Sequence, residues 1–159
     1  MSSVTEVWRV NNLGLGGTTV ENWADTYITP QLATVGANNG TRFVLVNIGV
    51  NDIAAGLPAE ATWRADFGVV LDAIHAKYPD ALVYSMRPWR IGSDAASTTL
   101  AGWIAAEEAT RAAWALAGPD EQVWAKAGDN GATNYSDAVH YSVAGNAACV
   151  TAWRTVLGY

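Results

Sequence analysis

Short apolar runs alternate along this chain with longer stretches in which apolar residues recur every three or four positions. Residues 7–10 form a short apolar run that stops at Asn11-Asn12 and reads as a strand. The glycines of Leu13-Gly14-Leu15-Gly16-Gly17 break it, and Thr18 or Thr19 can cap a helix running to about Leu32, with Pro30 near its end. Residues 36–41 are loop. The nearly unbroken apolar run at 43–48 suits a strand buried on both faces of a parallel sheet.

Gly49-Val50-Asn51-Asp52 then reads as a turn, and a helix follows over about 59–77, with Trp63, Phe67, Val70, Leu71 and Ile74 on one face at helical spacing. Residues 81–86 are the next strand and 87–97 a longer loop. Thr98 or Thr99 can cap a helix reaching about Leu116. A short strand is expected at 123–125 and a polar loop at 128–141. Ser142 caps a last helix, in which Val143, Ala147, Val150, Trp153 and Leu157 share a face. Strands alternating with helices imply right-handed crossovers and a parallel sheet between two helix layers. There is no internal repeat and no linker, so residues 1–159 read as one α/β domain.

Composition narrows the function classes. The net charge is −6 and the pI near 4.7, with nine Lys and Arg in all, so no basic footprint for nucleic acid is present. No apolar run approaches a membrane span, and the first residues show neither a basic nor an apolar signal region, which predicts a soluble protein and leaves its compartment unassigned. The single cysteine, Cys149, excludes an intrachain disulfide and reads as a small buried hydrophobe. Eight tryptophans are many for this length; they can fill a core or stack on sugar rings.

In an open parallel sheet the functional loops lie beyond the carboxyl ends of the strands. Three segments hold such positions. In the first, Gly14–Gly17, backbone N–H groups at a strand-to-helix turn can face an oxyanion; the spacing is not the dinucleotide fingerprint. In the second, Asn51 can offer its side-chain amide to a developing oxyanion. In the third, Asp137 precedes His140 by three residues, so its carboxylate can accept from imidazole Nδ1 and leave Nε2 as a general base. Each is weak alone, since turn residues and a surface histidine explain them as well. His75 reads as a helix-surface residue.

Together, in this order, they resemble the SGNH (GDSL) hydrolase family. Asn12-Leu13-Gly14-Leu15-Gly16-Gly17-Thr18-Thr19 looks like its glycine block, Val46-Asn47-Ile48-Gly49-Val50-Asn51-Asp52 like its Gly-x-Asn-Asp block, and Asp137-Ala138-Val139-His140-Tyr141-Ser142 with Gly145 like its Asp-x-x-His block. The resemblance runs from about Val7 to Leu157. It implies a flavodoxin-like, three-layer α/β/α fold and hydrolysis of esters, including acetyl groups on sugars, without metal or cofactor. It also implies that Gly17 N–H and the Asn51 side chain are oxyanion donors, that His140 is the general base and acid, and that Asp137 orients it.

The family's Gly-Asp-Ser block, which closes the first strand and carries the nucleophile, has no counterpart here. Ser2 and Ser3 lie too close to the next strand, and Gly92-Ser93-Asp94 belongs to the loop after a later one. Losing an interior strand would expose some four inward side chains at about 1.5–3 kcal/mol each, which rivals the stability of a domain. A second chain or an upstream fragment completing the sheet, a truncated chain, or a rearranged N-terminal segment would each resolve this. Two readings follow: a carbohydrate acetyl esterase whose serine comes from a partner or upstream segment, or a catalytically silent domain that binds glycans or serves a structural role on a virion or cell surface. A flavin- or nucleotide-binding module lacks a phosphate cradle. Trp89, after the third expected strand, is a candidate to border the substrate.

Overall fold

The computed structural model describes residues 11–36, 40–126 and 129–159. The strand expected at 7–10, and Ser2 and Ser3, lie outside the described residues. Two apolar runs form adjacent parallel strands, as expected. β1 (Phe43–Val46) pairs with β2 (Leu82–Arg87) from Phe43↔Leu82 to Val46↔Ser85. β2 pairs in parallel with β3 (Ala115–Asp120), and the described sheet has the order β1-β2-β3.

β3 corrects the sequence reading, which continued the preceding helix to Leu116 and put a strand at 123–125. Residues 121–124 are instead helical, and the helix before β3 ends at Thr110. Alanines at 112, 113, 115 and 117 favour a helix locally. Pairing along β2 overrides that preference and buries Ala115. Gly118-Pro119 forms a bulge: the register shifts between Ser85 and Arg87, where proline's missing N–H is tolerated. A Cβ on Gly118 would lie 2.6 Å from the Ser85 carbonyl oxygen.

Helices supply the crossovers. α1 (Val20–Asn22) starts with a reciprocal cap: Asn22 N–H donates to the Thr19 hydroxyl (3.4 Å) and Thr19 N–H to the Asn22 side chain (3.1 Å). A π-helical turn (Trp23–Tyr27) leads into α2 (Ile28–Thr34); the wide turn precedes Pro30, whose ring disfavours a regular one. The expected turn at 49–52 is instead the start of α3 (Val50–Ala55), with Gly49 as its cap. α4 (Glu60–Lys77) buries the five apolar residues that its spacing singled out. α5 (Asp94–Thr110) begins after Ser93, several residues before the expected threonine cap. α6 (Glu121–Trp124) follows β3 directly, and α7 (Val143–Leu157) is capped by the Ser142 hydroxyl, which accepts from Gly145 N–H at 3.0 Å.

The main core joins α1, α2, α4 and α5 to β1 and β2 through Val20, Leu32, Trp63, Phe67, Leu71, Val83 and Ile104. A smaller cluster of Trp89, Ala125 and Tyr135, with Ile91, Trp124 and Tyr141 against it, holds the loop before α7 to the ends of β2 and β3. His75 is not a plain surface residue: its ring stacks on Trp114 at 4.1 Å between centroids. Cys149 is half-buried, and burial pushes its thiol up to about 11. Among the described residues no helix is long and apolar enough to cross a membrane.

Candidate active site

All three parallel strands end on one edge, and only β1 passes straight into one of the expected segments; the loop with Asp137 and His140 follows α6. β1 leads to Gly49, β2 to Pro88-Trp89 and β3 to Glu121. Gly49 has φ +114°, and a Cβ there would meet Leu100 Cδ2 at 2.7 Å and Pro88 Cγ at 3.2 Å. Only glycine fits both the left-handed turn and the close approach. Gly49→Ala is therefore expected to destabilise the protein by about 2–5 kcal/mol through backbone strain and overpacking, read as a lower urea midpoint with unchanged slope.

That turn delivers Asn51 and Asp52 to the glycine block. Asn51 Nδ2 donates to the Thr18 carbonyl at 3.0 Å, which leaves its second amide hydrogen for a ligand. The buried Asp52 carboxylate accepts from Val20 N–H at 3.2 and 3.3 Å and from the Trp63 indole at 3.0 Å. Burial raises the Asp52 pKa against these donors. Asp52 thus ties the start of α1 to α3 and α4, and so fixes Asn51 against the Gly17–Thr18 turn. The turn has its own braces: Gly14 N–H donates to the Asn12 side chain at 2.9 Å, Thr18 Oγ1 to the Leu15 carbonyl at 2.8 Å, and Trp23 Nε1 to Thr18 Oγ1 at 2.8 Å. Gly17 is exposed with φ +78°, and its N–H has no partner among the described residues.

The histidine comes from the loop before α7. Asp137 Oδ2 lies 2.7 Å from His140 Nδ1, while Asp137 Oδ1 accepts from Val139 and His140 backbone N–H, each at 2.8 Å. These backbone and imidazole donors hold the Asp137 carboxyl down to about 2, so it is charged throughout the neutral range. The His140 side chain is 76% exposed, and Nε2 has no hydrogen-bond partner among the described residues. At the base of this turn Tyr135 and Tyr141 form an antiparallel bridge, and Ser136 N–H and Oγ both donate to the His140 carbonyl.

The structure therefore brings Asn51 to Gly17–Thr18, and Asp137 to His140. No hydrogen bond joins the two pairs among the described residues; residues 88–91 lie between them, with Pro88 against Gly49 and Ile91 N–H donating to the Ala138 carbonyl at 3.3 Å. Trp89 does not border a substrate: it is fully buried, donates Nε1 to Asp94 at 2.7 Å and packs edge-on against Tyr135. Ser93 precedes α5, where its hydroxyl accepts from Arg90 at 3.1 Å, and no described serine hydroxyl is hydrogen-bonded to His140 Nε2.

Two residues without a role in the sequence reading matter here. Asp52 was visible as an acid following an apolar run, and Glu121 was hidden because the strand before it was misplaced. Glu121 is buried, accepts from Trp89 N–H at 2.6 Å and from the Tyr135 hydroxyl at 3.0 Å, and contacts the Tyr141 hydroxyl. Burial, with Asp120 adding, pushes its carboxyl from 4.5 up to about 7. A carboxyl raised on folding takes up a proton, so its contribution to stability is full below about 4.5 and is lost as pH rises through about 7. That interval is worth about 3 kcal/mol at roughly 1.4 kcal/mol per pH unit. Thermal midpoints should fall between pH 5 and 8, and Glu121→Gln should flatten that fall.

The sequence pattern of the GDSL-like Lipase/Acylhydrolase family matches residues 3–148. No curated protein matches the chain. Among solved structures, a carbohydrate esterase family 3 from Talaromyces cellulolyticus is 19% identical, with a TM-score of 0.70 over 89% of this chain and 67% of that one. A putative platelet activating factor from Streptococcus pneumonia is 14% identical, with a TM-score of 0.67 over 89% and 69%. An active site mutant of a family two carbohydrate esterase from Clostridium thermocellum is 15% identical, with a TM-score of 0.54 over 80% and 38%. At these identities the likeness is one of fold, and it agrees with a flavodoxin-like parallel sheet flanked by helices. The three sequence blocks, their placement on one sheet edge and the family match over nearly the whole chain make this protein a member of the GDSL-like (SGNH) lipase/acylhydrolase family.

Proposed function

We propose that this chain is a serine-type ester hydrolase acting on acetylated carbohydrate, with its nucleophile supplied from outside the described residues by a partner chain or an upstream segment. The observation that carries the reading is the Asp137–His140 pair at 2.7 Å, with an open Nε2, in the last block of an acylhydrolase family. Two of the similar folds named above are carbohydrate esterases, which favours a sugar ester as substrate.

In this reading the serine oxygen attacks the ester carbonyl carbon as His140 Nε2 takes the hydroxyl proton. Asp137 holds the resulting imidazolium in place, and Gly17 N–H with the free Asn51 amide hydrogen receives the oxyanion. The proton passes from His140 to the departing sugar oxygen. Water, activated by the same imidazole, then releases the acid. The silent glycan-binding alternative calls for exposed ring faces, and all seven described tryptophans are buried or half-buried. The deciding experiment is hydrolysis of a small activated acetyl ester by the chain together with its native partner or upstream segment, with His140→Ala as the control. Release of acid that the substitution abolishes supports the reading, and a rate equal to that of the variant overturns it.

A further inference from the structure

The Asp137–His140 turn is anchored by one buried acid. Its two flanking tyrosines, Tyr135 and Tyr141, bridge each other at the base of the turn, with ring centroids 5.2 Å apart. Both hydroxyls reach Glu121: Tyr135 donates to Oε2 and Tyr141 contacts Oε1. The first residue of α6 is thereby bonded to both sides of the turn that presents the histidine. A third donor, Trp89 N–H, ties the same carboxylate to the end of β2. Tyr135 also donates to the Trp89 carbonyl at 3.3 Å, and Tyr141 contacts Met86 Sδ at 3.6 Å. Among the described residues His140 itself is held by Asp137, by Ser136 and through the chain to Tyr141. Its position therefore depends on how firmly the base of the turn is tied down.

We propose that Glu121 is a positioning residue for His140, its ionised carboxylate clamping Tyr135 and Tyr141 so that the histidine is presented correctly only while the clamp is charged. This rests on the reading of His140 as general base. A carboxylate accepts from all three donors at once. A carboxylic acid carries a proton of its own, so one donor must turn away or become an acceptor. The Trp89 N–H is fixed in the backbone, and so the change falls on a tyrosine hydroxyl.

The groups facing Glu121 make this a switch near neutrality. On its own side stands Asp120; from the loop come Tyr135 and Tyr141; from α7 comes the Cys149 thiol. No lysine, arginine or histidine among the described residues forms an ion pair with it. With burial unopposed by a cation, its carboxyl stands at about 7. The charged state that orders the turn is thus the one that burial disfavours.

The test compares the wild-type chain with Glu121→Gln in two measurements between pH 5 and 9. The first follows the tyrosine ring and histidine imidazole resonances by NMR, His140 being assigned by its loss in His140→Ala. In the wild type, the Tyr135 and Tyr141 signals should move with a midpoint near 7, a movement that persists in His140→Ala and disappears in Glu121→Gln. The His140 signals should show that same inflection, and lose it in Glu121→Gln. The second is the pH profile of ester hydrolysis by the chain together with its native partner or upstream segment. On its acid side the wild-type log rate should fall more steeply than that of Glu121→Gln, because protonation of Glu121 inactivates in addition. Should Glu121→Gln fail to fold, Tyr141→Phe serves: with one donor removed, the tyrosine midpoint should move to higher pH.

Tyrosine signals that do not titrate near neutrality in the wild type, or that titrate unchanged in Glu121→Gln, overturn the clamp. So do superimposable pH profiles. A wild type inactive at every pH even with its native partner or upstream segment present, yet with the expected tyrosine titration, removes the esterase reading and leaves the clamp standing.

Discussion

His140→Ala is expected to reduce ester hydrolysis by about 1,000-fold or more, to whatever the oxyanion donors and substrate binding achieve alone. The effect should be chemical. The His140 side chain is 76% exposed and, among the described residues, its ring is hydrogen-bonded only to Asp137. Removing it opens no cavity, so the urea midpoint should stay within about 0.5 kcal/mol of wild type. The Asp137 carboxylate remains held by the Val139 and His140 backbone N–H groups, so the turn keeps its shape. The loss should appear in kcat, because a proton acceptor works in the transition state and adds little to ground-state binding. Activity that survives the substitution would remove His140 from the mechanism.

Asn51→Ala is expected to lower kcat by about 100- to 1,000-fold with KM little changed, as for loss of one oxyanion donor. Here a structural part must be separated from the catalytic one. Asn51 Nδ2 also donates to the Thr18 carbonyl, and losing that bond costs about 1 kcal/mol of stability. The Gly17–Thr18 turn keeps its independent braces through Asn12, Leu15 and Trp23, and Asp52 still holds the start of α1. A small drop in thermal midpoint with a large drop in kcat is the expected signature. A KM effect with kcat intact would instead make Asn51 a substrate-binding group.

The Glu121 expectations link stability to activity. The carboxylate that anchors the histidine turn also weakens the fold as pH rises through about 7. Functional sites often hold such locally unfavourable groups, whose cost is met by the surrounding packing.

Much of the fold was legible because its signals are local. The apolar run at 43–48 was legible as a strand and α4 by its spacing, while α7 was legible by its Ser142 cap; burial on both faces of β1 and the apolar face of α7 did not follow, since Leu45, Val143, Ala147 and Val150 are exposed. The errors cluster where tertiary contacts override local preference. Ala115–Asp120 looks helical at one end and turn-like at the other, yet it is a strand because β2 offers a free edge. Gly49–Asp52 looks like a turn but opens α3, since a carboxylate buried at Asp52 needs donors from Val20 and Trp63, and a helix presents it to both.

The candidate site divides the same way. The sequence alone singled out Gly17, Asn51, Asp137 and His140 as candidates, because each belongs to a short block whose chemistry depends on neighbours a few positions away. Asp137 and His140, three residues apart, are within reach of each other in any tight turn. Only the tertiary structure could place Glu121 beneath that turn, or show Trp89 sealed in the core rather than facing substrate. Those positions arise from contacts between residues 14 to 46 positions apart in the chain, brought together by strand pairing and by the packing of the loop before α7. Such contacts leave no periodic trace in the sequence, because the partners share no helix face and no strand register.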